Sequence, residues 1–181
     1  CGFRTYSTGR VTVVNCVAKN MRVGFALAKV SLMNCEAIAC ERGYYLNNAV
    51  TKDCKGDAKY GPLIYLVGDE PSKIDLTLMP GESEKKVHAV ATICGIGHEV
   101  SIKTSDTDNR KKAIPIMLGY GMPGSGEIAS PIPPKAAENI KIKNMAFLPV
   151  LIGEKANNCV VTTNGVIDSN QGENIKIIEI D

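Results

Sequence analysis

The stretch from Ile74 to Thr104 constrains this chain most, because it alternates apolar and polar residues through three runs parted by turn residues. Ile74, Leu76 and Leu78 alternate with Asp75 and Thr77, and Pro80-Gly81 interrupts them. Val87, Ala89, Ala91 and Ile93 resume the pattern, and Val100 and Ile102 follow a bend containing Gly95 and Gly97. Period two on both sides of turn residues is the mark of strands with one wet face, and no helical reading competes there. The spacing predicts an antiparallel sheet.

Other segments extend that expectation. Arg10 to Lys19 is β-branched and nearly alternating, and Lys19 to Arg22 is placed to turn it back as a hairpin. Residues 23–42 carry two patterns: Val23, Phe25 and Leu27 alternate, whereas Leu27, Val30, Asn34 and Ile38 follow helical spacing. We read a strand first, then a short helix around Asn34 to Cys40. Leu63 to Val67 and Ile114 to Leu118 read as short buried strands. Asn164-Gly165 reads as the two-residue turn of a hairpin, and Asn174 to Ile180 as a closing strand. Residues 119–135 hold four glycines and four prolines and read as a long loop or an exchanged arm. No repeat of fixed period emerges. The expected fold is mainly β, an antiparallel β-sandwich of jelly-roll or immunoglobulin-like type. It would form a single domain over 1–181, with a cysteine-rich N-terminal part at 1–60 and at most one or two short helices.

The seven cysteines, Cys1, Cys16, Cys35, Cys40, Cys54, Cys94 and Cys159, form no CxxC pair, and His88 and His98 are the only histidines. Zinc needs closely spaced pairs, so disulfides in an oxidising compartment are the better expectation, with one thiol left over. That places the protein outside the cell or on its surface. Cys1 at the start of the chain raises a lipidated N-terminus as a minor alternative.

Charge excludes some partners. Twenty-one basic against nineteen acidic residues give +2, and only Arg110-Lys111-Lys112 forms a basic run, so no nucleic-acid surface is expected. The longest apolar runs, Pro62 to Val67 and Ala146 to Ile152, are too short for a membrane-spanning helix.

Motifs for chemistry are weak. Gly119-x-Gly121-x-x-Gly124 matches a dinucleotide fingerprint in letters only, because Pro131, Pro133 and Pro134 forbid the helix that would receive the pyrophosphate. Asp106-x-Asp108-Asn109 and Asp168-x-Asn170-x-Gly172 resemble pieces of calcium loops but lack the distal glutamate. Cys94 with His88 or His98 is a conceivable nucleophile pair, though spacing does not bring them together. No catalytic residue, cofactor or metal site is expected.

The leading functional expectation is a non-enzymatic extracellular structural protein. It would be a self-assembling subunit of a fibre, pilus-like or shell-like structure, a homo-oligomer built by strand exchange at sheet edges. Val11, Val13, Ile175 and Ile177 are the candidate edge contacts. The alternatives are a secreted binding module, an adhesin or host-directed effector, and a secreted enzyme. A binding module would take a protein or glycan ligand on the Gly119 to Lys135 loop or on the Tyr44-Tyr45 loop, where paired rings offer contact area at low entropic cost.

Overall fold

A computed structural model describes residues 1–5, 9–80, 87–104, 114–120 and 135–180. It is a coil of strands in which each turn lies in register on the one before. The first turn carries β1 (Phe3–Arg4), β2 (Val11–Val14) and β3 (Val17–Lys19). The second carries β4 (Phe25–Met33) and β5 (Glu36–Ile38), and the third β6 (Tyr44–Lys52) and β7 (Cys54–Gly56). The fourth has β8 (Ile64–Leu66) and β9 (Lys73–Leu78), and the fifth β10 (Ala91–Ile93), β11 (Gly95–Ile96) and β12 (Glu99–Thr104). The sixth has β13 (Ile116–Leu118), β14 (Ala137–Glu138) and β15 (Lys141–Met145). The seventh has β16 (Val150–Ile152), β17 (Ala156–Asn157) and β18 (Val160–Thr163), and the last β19 (Ile167–Asn170) and β20 (Lys176–Glu179). Among the described residues every pairing is parallel, in one curled 17-stranded sheet and a small sheet of β11, β14 and β17.

This corrects the antiparallel sandwich. The alternating runs of the Ile74 to Thr104 stretch are strands, but β9 and β12 lie side by side in parallel, Ile74 beside Val100 and Leu76 beside Ile102. Strand β10 belongs to another column, between β8 and β13. Alternation reports one wet face and carries no information about the direction of the neighbouring strand.

The corners explain the rest of the sequence pattern. Among the described residues eleven other than glycine hold positive φ, and seven of them are asparagines, the residue type that tolerates this backbone best. At such a corner two consecutive residues face outward, so Leu27 and Val30 point inward around Ala28-Lys29, and Leu32 and Cys35 point inward around Met33-Asn34. The resulting inward spacing of three imitates a helix. The expected helix at Asn34 to Cys40 is therefore strand β5 between left-handed corners at Asn34 and Ala39; no helix is found among the described residues.

A repeat does exist in the first turns. Val11 pairs with Val30 and Val30 with Ala49, each 19 residues on, and Phe25 pairs with Tyr44 at the same interval. Longer connections after Gly56 break the interval, which returns between Lys141 and Val160. The pair Asn164-Gly165 joins β18 to β19 without a hairpin, since β18 pairs with β15 and β20 while β19 pairs with β16. The Gly/Pro stretch falls at 121–134 outside the described residues, as do Asp106 to Asn109 and Arg110 to Lys112.

All seven cysteines are free thiols, which corrects the disulfide expectation. Five of them, Cys16, Cys35, Cys40, Cys54 and Cys159, directly follow a positive-φ residue. The thiol of each donates back to the carbonyl two residues earlier, as from Cys35 Sγ to Met33 O and from Cys54 Sγ to Lys52 O, both at 3.4 Å. A small, apolar side chain with a weak donor fits the first inward position after a tight corner. Stacked corners place Cys16, Cys35 and Cys54 one above another, so the cysteine-rich N-terminal part reflects regular corners.

The core runs along the coil axis in columns. One column stacks Phe3 on Phe25 and Phe25 on Tyr44, with ring centroids 5.0 Å apart in each pair. A second contains Val13, Leu32 and Thr51, then Ile74, Val100, Ile142, Val161 and Ile177. Where it passes from the third turn to the fourth, the buried Thr51 hydroxyl accepts from Asp75 N–H at 2.8 Å and donates to Asp75 O at 3.0 Å, bridging two turns. Each fully buried side chain of this kind contributes roughly 1.5–3 kcal/mol through removal of apolar surface from water.

Candidate binding groove and open ends

Three places are candidates for recognition: a concave groove beside the first four turns, and the two ends of the coil. The groove encloses about 540 Å³. Arg4 of β1 and Arg22 and Arg42, which lie just before the second and third turns, reach it with Tyr45, Asn47 and Gly68. Parallel stacking puts successive turns roughly 5 Å apart, so side chains distant in sequence share one wall. No aspartate or glutamate among the described residues lines it. The Arg42 guanidinium lies 5.7 Å from the Tyr65 ring centroid, and Tyr65 packs on Tyr45 at 5.0 Å with the rings tilted by 43°. Thr5 continues the wall, its Oγ1 accepting from Ala28 N–H at 3.4 Å. A Cβ at Gly68 would meet Asn47 Oδ1, so any larger residue there requires the Asn47 side chain to turn away.

The tyrosine pair divides. Tyr45 is exposed on the groove, whereas Tyr44 is fully buried in the aromatic column and its hydroxyl reaches the carbonyls of Cys35 at 2.8 Å and Lys55 at 2.9 Å. Burial pushes the Tyr44 hydroxyl well above its ordinary pKa.

The thiol pairs imagined from sequence do not form. Cys94 is buried, with Sγ donating to Tyr120 O at 3.0 Å, and burial raises its pKa. His98 is fully buried: Nδ1 accepts from Ser72 N–H at 3.1 Å, which leaves Nε2–H to donate to Gly68 O at 2.9 Å. Desolvation lowers its pKa and holds it neutral. His88 is exposed, whereas Cys94 and His98 are buried. Asp168 and Asn170 lie on β19, where Asn170 Oδ1 caps a turn by accepting from Gly172 N–H at 3.3 Å. Among the described residues no cluster of three or more His, Cys, Asp or Glu is placed to hold a metal ion, and no helix is long and apolar enough to cross a membrane.

The four edge residues separate into two pairs at opposite ends. Val11 and Val13 belong to the first turn, Ile175 and Ile177 to the last, and Val13 and Ile177 terminate the same inner column. Phe3, Val13 and Cys16 at one end, and Ile167, Ile175 and Ile177 at the other, are only partly buried while packing against the core. Sequence reasoning found these strands but had no means of seeing that they share a column. Groove residues Arg4, Arg22 and Arg42 were missed because they are far apart in sequence and line one wall only through stacking.

Compared with known proteins, the chain matches no family model and no curated protein sequence.

Proposed function

We propose that this protein is a non-enzymatic structural element that assembles head to tail, the first turn of one copy stacking on the last turn of another. One observation carries the reading. The two columns that begin with β1 and β2 run through every turn and finish in β19 and β20, so both ends present the same two strands, in the same direction, at the same places. Each end leaves a parallel edge of backbone N–H and C=O groups beside half-buried apolar side chains. Edges of this kind template further strands unless proline, charge or a bulge blunts them. None of β1, β2, β19 and β20 contains proline; β19 carries a bulge at Asp168 and β20 the charges Lys176 and Glu179, while β2 has neither charge nor bulge. Stacking of unlike ends is heterologous and does not close, which gives linear polymers. The free thiols withdraw the argument from paired cysteines for an oxidising compartment, and the assembly reading does not depend on it.

Sedimentation velocity over a concentration series, with negative-stain microscopy, tests this. Val13→Lys blocks the first end and Ile177→Lys the last, and each alone is expected to be monomeric with the far-ultraviolet spectrum unchanged. Mixing the two variants is expected to restore dimers only, because each retains the end the other has lost. A wild-type protein that stays monomeric at its highest soluble concentration sinks the proposal.

A further inference from the structure

We infer that the stacked thiols of Cys16, Cys35 and Cys54 form a binding site for a soft monovalent cation of the copper(I) and silver(I) class, held in line between two sulfurs. The three residues are built alike. Each follows a left-handed corner, at Asn15, Asn34 and Asp53. The backbone ladder continues through them, with Glu36 N–H donating to Cys16 O at 2.9 Å and Lys55 N–H to Cys35 O at 3.0 Å. Each thiol donates to the carbonyl two residues earlier, Cys16 to Val14, Cys35 to Met33 and Cys54 to Lys52, all at 3.4 Å. The side chains therefore share one orientation, and their sulfurs repeat with the turns. Burial raises the pKa of the Cys35 thiol, and the smaller influences on it include both of its neighbours, Cys16 and Cys54.

The spacing selects the ion. Parallel strands stack about 4.8 Å apart, close to twice a metal–sulfur bond of about 2.3 Å, so an ion midway between two stacked sulfurs touches both. No third ligand gathers round a common point, which leaves four-coordinate zinc without a cage. Soft copper(I) and silver(I) prefer thiolate sulfur and are satisfied by two ligands in line. Binding exchanges a cation for a proton and transfers no electron. The ion bonds to the sulfur of one thiol as its S–H bond breaks and accepts a lone pair from the next, so one proton leaves for solvent and the apolar core gains no net charge. Cys16, half-buried in the first turn, is the point of entry, and Cys35 and Cys54 lie fully buried behind it. Cys159 is the contrast within the same chain. It follows Asn158 at φ 52°, donates to Asn157 O at 3.2 Å and is equally buried, but it stacks between Ile140 and Ile175 with no second thiol above or below. The site lies within the first three turns and stands or falls apart from the assembly proposal.

Titration of the whole chain with copper(I) under argon is the test, in an excess of glutathione whose single thiols compete for the ion. Binding is read from the ultraviolet sulfur-to-copper charge-transfer band and the ligand number from X-ray absorption. The wild-type chain is expected to retain copper(I) with two sulfur neighbours, because two thiols fixed in one file act on the ion together, and to release zinc(II) to the same competitor. Cys35→Ala removes the sulfur common to both pairs and is expected to weaken retention by about tenfold or more. Cys16→Ala combined with Cys54→Ala leaves Cys35 alone and should reproduce that loss, so the result does not hang on the folding of one variant. Cys159→Ala and Cys1→Ala are expected to leave retention unchanged. Loss of all copper(I) to glutathione overturns the inference, as does a third sulfur around the bound ion. Retention that Cys35→Ala leaves intact in a variant of wild-type melting temperature overturns it equally.

Discussion

Asn34 offers a test in which two small substitutions change order between two architectures. In the coil it is an exposed corner at φ 50° whose Nδ2 donates to Asn15 Oδ1 of the previous turn at 2.8 Å. Asn34→Ala loses that exposed bond, worth about 0.5–1 kcal/mol, and holds an alanine in the left-handed region, costing roughly 1–2 kcal/mol. Its expected loss is about 2 kcal/mol. Asn34→Gly loses the same bond and accepts the corner freely, but glycine has more unfolded-state freedom to surrender, about 0.5–1 kcal/mol. Glycine should therefore be the more stable of the two by about 0.5–1 kcal/mol. Were Asn34 inside a helix, as its spacing from Val30 and to Ile38 predicts, alanine would win by about 1 kcal/mol. Urea unfolding of both variants, read as the midpoint at unchanged slope, decides by sign. An alanine variant more stable than the glycine variant refutes the left-handed corner and the coil that needs it.

Phe25 is fully buried between Phe3 and Tyr44, so Phe25→Ala should cost about 3–5 kcal/mol in urea unfolding. Gly95→Ala should destabilise by several kcal/mol, because Gly95 has φ 104° and a Cβ there would meet Gly68 O and, at 2.7 Å, His98 Nε2; a variant within about 0.5 kcal/mol of wild type refutes that contact. His98 has a lowered folded pKa, so above the unfolded value near 6.5 it is neutral in both states and adds no pH dependence. As pH falls below that value the unfolded chain takes up a proton first, and stability falls until the folded pKa is passed; His98→Gln should remove that component from a series of melts between about pH 7 and pH 4. Burial raises the Cys35, Cys40, Cys94 and Cys159 thiols and pushes Cys54 up to about 11. In native protein, alkylation should mark Cys1 first and Cys16 slowly, with intact mass after unfolding showing seven free thiols. A mass short by paired hydrogens refutes the thiol assignment.

The candidate sites were legible only in part. Val11, Val13, Ile175 and Ile177 could be picked out because β-branched alternation marks a strand wherever it occurs. The groove could not, since Arg4, Arg22 and Arg42 stand 18 and 20 residues apart in sequence and come to line one wall only when turns stack. Tyr44 and Tyr45 looked alike as a pair, and the pleat separates them, sending one ring into the aromatic column and the other to the groove.

Read alone, the sequence determined that the chain is built of strands, where most of them lie, and which residues stand on their apolar faces, because side-chain alternation is a local property of extended backbone. It also held the corners in plain view, as Asn15-Cys16, Asn34-Cys35 and Asp53-Cys54 recur every 19 residues. Their meaning stayed hidden because a cysteine reads equally as half a disulfide, and because in, out, out, in spacing around a left-handed residue imitates a helix. Strand direction and the coil were decided by tertiary structure alone. A one-sided apolar strand pairs acceptably either way, and only the summed register of Val13, Leu32, Ile74, Val100, Ile142, Val161 and Ile177 along one axis selects the parallel stack.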